Sequence, residues 1–197
     1  MTRLLCLAVF AIVLTGCSSG PDVQFYVLEP LNSTNSTSVE AAKAHTIGIG
    51  PVSVPTLLEH RQIITRLSNN AVQISESQQW AEPLPDNLQH TLTRNLATLQ
   101  PGHIIRSYPW DIHGMVDLQI VIDIIRFDTT PGKSANLEAN WSIKNEKTHV
   151  ILKSGHTVIT HLLADSSYPG SVRALSKILG EFSQSLSLAM QKLEFSH

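Results

Sequence analysis

The chain has 197 residues, 42% hydrophobic and 15% charged, a globular balance with apolar surface to spare for a partner. Its 14 basic and 16 acidic residues leave a formal net charge of −2, which offers no basic stripe for nucleic acid. Both cysteines, Cys6 and Cys17, lie near the start, so the body of the chain holds no thiol for a disulfide, a nucleophile or a thiolate metal site.

Arg3 is followed by an apolar run from Leu4 to Leu14 and then by Thr15, Gly16 and Cys17. A basic start, a short apolar core and small residues before a cut make residues 1–16 a signal peptide. The run is well short of the roughly 20 apolar residues a transmembrane helix needs. "LTGC" also resembles a bacterial lipobox, which implies that Cys17 is acylated and becomes the first mature residue. The alternative is a plain secretory signal with an incidental cysteine. Ser18 and Ser19 follow, and the sorting pattern this resembles places Asp there for inner-membrane retention, so serine implies the outer membrane. Residues 17–24 read as a lipidated tether and 25–197 as one periplasmic domain; without Arg3 its charge is −3.

"FYVL", from Phe25, reads as a first strand, and "NSTNSTS", 32–38, as a polar loop or tether. The N-x-Ser/Thr patterns at Asn32, Asn35 and Asn140 carry no meaning in a bacterial lipoprotein. In "HTIGIGPVSVP", Ile47 and Ile49 share a face with Val52 and Val54 if the strand bulges at Pro51. Gly48 and Gly50 lack the third glycine and the following helix of a phosphate loop. Ile63-Ile64 and Val72/Ile74 flank Ser68-Asn69-Asn70, which predicts a hairpin. Leu84, Leu88, Leu92, Leu96 and Leu99 form one stripe of a helix that Pro85 and Asp86 start and "QPG" ends.

From Val116 to Ile124 strict alternation predicts a long strand with a wet outer face. "ANLEANWSI" repeats it through Trp141, and "THVILKSGHTVITHLL" predicts another long strand or a hairpin broken at Ser154-Gly155. After the turn cluster "DSSYPGS" a last helix carries Val172, Leu175, Leu179, Phe182, Leu186, Ala189 and Leu193 at steps of three and four. That stripe fits packing on a sheet or contact with another subunit's helix.

Chemistry is hard to place. The nine histidines include no H-x-H or H-E-x-x-H pair, and His156 and His161 fall on opposite strand faces, so solvated histidines are expected rather than a metal site. Asp117 and Asp123 lie roughly 20 Å apart along one strand, too far to act as a pair. No G-x-S-x-G elbow occurs, and Glu82 in "WAEP" has no evident partner for acid–base work. No cofactor is called for.

The stretch Pro51 to Leu84 carries the densest signal. Val54-Pro55 with Leu57-Leu58, Arg61-Gln62-Ile63, Arg66, Trp80-Ala81, Pro83-Leu84, the helix from Leu92 to Leu99 and Trp141 resemble, in order and spacing, the PqiC/YmbA-type outer-membrane lipoproteins of the ABC-type transport auxiliary family. Glu29 to Thr46 and Arg106 to Gly114 have no counterpart. The resemblance implies a single α/β domain, a mixed sheet packed with two main amphipathic helices (84–99 and 169–193) in a sandwich like the N-terminal domain of TolB. It also implies a non-enzymatic part of an MCE-type lipid transport system, anchored in the outer membrane through Cys17. There it would dock a periplasmic MCE-domain protein and its inner-membrane partners, as a homo-oligomer for which a ring suits a tunnel axis. The alternatives are a lipoprotein that holds lipid in its own cavity and a purely structural envelope lipoprotein. Trp80 reads as an anchor at the end of the hairpin strand, with Pro83 and Pro85 aiming the helix onto the sheet.

Overall fold

The computed structural model describes residues 22–32, 44–111 and 114–194; Cys17 and most of the 32–38 tether lie outside them. The elements in chain order are β1 (Gln24–Tyr26), β2 (Thr46–Ser53), a 3-10 turn (Thr56–Glu59), β3 (Gln62–Ser68), β4 (Ala71–Trp80), α1 (Leu84–Leu99), β5 (Ile104–Ser107), β6 (Leu118–Thr130), β7 (Ser134–Asn145), β8 (Ile151–Leu162) and α2 (Tyr168–Glu194).

The sheet is organised around β6. One edge of β6 pairs antiparallel with β7 along its whole length, and β8 pairs antiparallel with the far side of β7. The other edge is shared. β2 runs parallel to its first half, from Ile47 opposite Leu118 to Ser53 opposite Asp123, and β3 joins in parallel at Thr65 opposite Thr129. Beyond β2 lies β5; beyond β3 lie β4 and then β1. The mixed α/β architecture expected from the sequence is the one the chain adopts, and the fork at β6 is what periodicity could not show.

Alternation sets the core face. Ile47 and Ile49 are buried beside Ile120, Ile122, Ile124, Leu137, Ala139 and Ile143. The register of β2 shifts between Ile49 and Val52, at Pro51, so that Val52 returns to the same core. A second shift, between Ile124 and Arg126, carries β6 on past the predicted stretch, leaving Ile125 41% exposed while Phe127 is buried. The β3–β4 hairpin turns at Asn69-Asn70. β8 does not break at Ser154-Gly155: a side chain at Gly155 would meet the Trp141 ring at 2.4 Å, so glycine serves close packing rather than a turn.

Both helices cover this one face, α1 over β2 and β5, α2 over β6, β7 and β8. Pro83 stands at the N-cap of α1 and Asp86 in its first turn, and Leu84, Leu88, Leu92 and Leu96 are almost fully buried. Ser167 Oγ accepts the Gly170 amide where α2 begins. The α2 stripe packs on the sheet and on α1 within one chain.

A polar seam joins the helices beside the leucines. Asn95 Nδ2 donates to Ser183 Oγ at 3.0 Å, and Gln100 Nε2 to Ser187 Oγ at 2.7 Å. The N-terminal segment is strapped to the same two helices: Leu28 N donates to Asn87 Oδ1, Glu29 N to Ser176 Oγ and Leu31 N to Asn95 Oδ1. Asn87, Asn95 and Ser176 are buried with their side-chain oxygens satisfying backbone amides of a segment that lies in no strand there.

Candidate docking surface

Among the described residues, no α-helix packs on the second face of the sheet. Register places Ile64 opposite Ile74 and Arg66 opposite Val72 on it, then Asp128, Asn136 and Thr160 in one row and Asp123, Asn140 and His156 in another. Asp128 is the centre of its row. Arg66 Nε lies 2.5 Å from Oδ2, Arg126 Nε donates at 2.9 and 3.0 Å, and Asn136 Nδ2 donates to Oδ1 at 3.1 Å. Thr160 Oγ1 donates to Asn136 Oδ1 at 3.2 Å. The Asp128 side chain is 6% exposed and those of Arg66 and Arg126 are 29% and 36% exposed, so two guanidiniums share one carboxylate and leave a positive charge at the surface.

Beside this charge is a depression of about 80 Å³, walled by Pro55, Leu57, Ile64, Val72 and Ile125 with Arg66 at its rim. Leu57, Ile74 and Ile125 are each more than a third exposed. At roughly 300–1,000 Å³ ordinary ligand pockets are several times larger. A hollow of this size with a cationic rim suits a protruding apolar side chain next to an acid.

The expected site residues divide between the two faces. Pro55 and Arg66 meet at the depression. Arg61 is exposed and contributes its carbonyl, which accepts the Trp80 amide at 2.7 Å. Trp80 closes β4 at 3% exposure and Leu84 follows at 1%, both on the helix-covered side, while Pro83 starts α1. Trp141 lies over Gly155 and donates its indole N–H to Thr157 Oγ1 at 3.0 Å. Cys17 lies outside the described residues.

Two expectations need correction. Glu82 has a neighbour: His90 Nδ1 is 3.3 Å from Glu82 Oε2, one pair near the start of α1 with both side chains exposed. The histidines are not simply solvated either. His161 Nε2 is 2.8 Å from Glu181 Oε2, His156 is 3.5 Å from Glu138, and His45 is 3.9 Å from Asp117. Period-2 and period-3.6 readings do not pair residues across elements, so these contacts were not visible. Among the described residues, no group of three or more His, Cys, Asp or Glu could hold a metal ion. Asp117 and Asp123 work separately, Asp123 accepting Ser53 Oγ and Asp117 accepting Lys147 Nζ at 2.8 Å and the Thr46 amide. The Lys147 ammonium and that amide hold the Asp117 carboxyl below the usual carboxylate range.

The Asp128 network escaped the sequence reading because Arg66 and Asp128 are 62 positions apart, brought together only where β3 joins the second half of β6. The polar seam was legible in principle: Ser176, Ser183 and Ser187 recur at helical spacing beside the apolar stripe.

Residues 26–187 match the family described as "ABC-type transport auxiliary lipoprotein component". The chain is similar to the intermembrane transport lipoprotein PqiC of Escherichia coli, 30% identical over 99 residues that span 50% of this chain and 53% of that protein, and equally to PqiC of Shigella flexneri. The match thus spans about half the length of these curated relatives. Among solved structures, that of an uncharacterized protein superposes with a TM-score of 0.72 at 17% identity, covering 86% of this chain and 99% of that one. A Xanthomonas campestris protein gives 0.68 at 15%, covering 84% and 93%. At these identities the likeness is one of fold. Since the family match takes in β2 to β8, α1, most of α2 and the depression, the chain belongs to the ABC-type transport auxiliary lipoprotein component family.

Proposed function

We propose that this protein is a non-enzymatic component of an MCE-type intermembrane lipid transport system. It is held at the periplasmic face of the outer membrane through acylated Cys17, and the helix-free face of its sheet docks the periplasmic MCE-domain partner. The observation that carries the reading is the family match over 26–187, joined by relatives whose name is intermembrane transport lipoprotein. The geometry supports a docking role: an apolar depression, exposed Leu57, Ile74 and Ile125, and the surplus charge of Arg66 and Arg126 stand together on a rigid sheet. Partners recognised this way bring an apolar side chain flanked by an acid. Several copies around a tunnel axis would repeat the contact, which makes a ring the natural assembly.

The test is recovery of the lipidated protein with periplasmic MCE-domain proteins after crosslinking in cells. Co-recovery that falls on Ile125→Glu or Arg126→Glu supports the reading. Repeated failure to recover any MCE-domain protein sinks it.

A further inference from the structure

Val23, Phe25 and Val27 are 45%, 59% and 52% exposed. They alternate with Gln24, Tyr26 and Leu28, and the latter two turn inward: Tyr26 Oη donates to Gln78 Oε1 at 2.6 Å and Leu28 is 4% exposed. Three large apolar side chains therefore stand on one side of five consecutive residues, at the β1 edge of the sheet that the described residues form. Water is a poor environment for such a row, and exposed apolar groups that are contiguous rather than scattered mark a contact.

The row is held in place. β1 pairs with β4, the Ala81 amide donates to the Tyr26 carbonyl at 2.8 Å, and the strap through Leu28, Glu29 and Leu31 fixes the next residues to both helices. Its orientation relative to the domain is thus set by hydrogen bonds.

We infer that Val23, Phe25 and Val27 rest against the lipid surface that holds the acyl chains of Cys17. The inference rests on the anchoring reading above. Six residue steps lead from Cys17 to Val23, and a chain spans at most about 3.6 Å per residue, so Val23 stays within about 22 Å of the anchored residue. Of the exposed apolar side chains in the described residues, these three lie nearest Cys17 in sequence. Phe25 and Val27 also border a depression of about 300 Å³ with Pro169, Val172 and Arg173. The Arg173 side chain is 65% exposed and donates to Asp165 Oδ2 at 3.1 Å, with guanidinium N–H groups left over for an acceptor such as a lipid phosphate. Apolar side chains toward the acyl boundary and a guanidinium at headgroup level form an arrangement suited to an interface. The consequence is a fixed orientation: the domain is set against the bilayer by its β1 edge instead of swinging on a tether.

The mature chain has no cysteine after Cys17, so Phe25→Cys gives a unique site for a thiol-directed spin label. The experiment uses the full-length protein, made and acylated in cells and reconstituted in phosphatidylethanolamine/phosphatidylglycerol vesicles, with intact mass reporting acylation. Leu188→Cys, exposed toward the other end of α2, is the reference. The label at 25 is expected to be several-fold less accessible to an aqueous nickel chelate than the label at 188, with oxygen accessibility raised, and both differences should vanish in detergent. An acylated protein whose label at 25 is as open to nickel as that at 188 overturns the inference and leaves the anchoring intact. So does protection accompanied by spin–spin broadening, which would mean that a second copy covers the row. A chain found unacylated at Cys17 overturns the anchoring reading and this inference with it.

Discussion

The two faces of the sheet obey different rules. The helix-covered face is apolar almost throughout, and its leucines and isoleucines meet as alternation and helical spacing require. The helix-free face mixes a buried aspartate, two half-exposed arginines and exposed isoleucines. A core can be assembled from residues that simply avoid water. A docking face must keep charge and apolar surface together in a fixed pattern, which takes a network such as that around Asp128.

The largest expected effect lies on the covered face. Trp80→Ala should lose about 3–5 kcal/mol of stability, because a ring at 3% exposure leaves a cavity between β4 and α1. Chemical denaturation measures this, and an unchanged midpoint with lost partner binding would move Trp80 into the docking machinery. On the free face, Asp128→Ala should cost about 2–3 kcal/mol; it strands two guanidiniums, but their partial exposure lets water rescue them in part. A loss as large as that of Trp80→Ala would erase the contrast between the faces.

Gly155→Ala tests the packing that runs through β7 and β8. Its methyl would stand 2.4 Å from the Trp141 ring, and about 1–2 kcal/mol should be lost through overpacking. Combined with Trp141→Ala, it should add less than its single cost, since the two share one contact. The smallest effect belongs to Asp117. Its carboxyl is held below the usual range by Lys147 and the Thr46 amide, so it contributes stability in full above the ordinary carboxylate value of about 4. That contribution is lost as pH falls through the lower folded value. Asp117→Asn should therefore flatten the acid limb of a stability–pH curve and leave the parent's slope unmatched only below about pH 4.

Legibility followed the same division. The stripes Leu84 to Leu96 and Val172 to Leu186 and the alternation of Ile120 to Ile124 could be read because a single rule, burial on one side, decides each position. β5, "IIRS", is too short for a pattern, and the 3-10 turn at Thr56–Glu59 has none. Of the two readings left open for this stretch, the single long strand is the one formed; glycine has two uses, turning and close packing, and only the neighbouring Trp141 tells which applies. On the candidate surface, Pro55 and Arg66 were legible as family markers, yet their meeting with Ile125, Arg126 and Asp128 depends on the fork at β6.

The contrast is tested most directly by placing a photo-crosslinking amino acid at Ile125 on the free face or at Leu188 on the outer side of α2, in cells that carry the proposed MCE-domain partner. The account predicts crosslinks to that partner from position 125 and few from 188. Crosslinks from 188 with none from 125 would contradict it, and the docking surface would then belong to the helices.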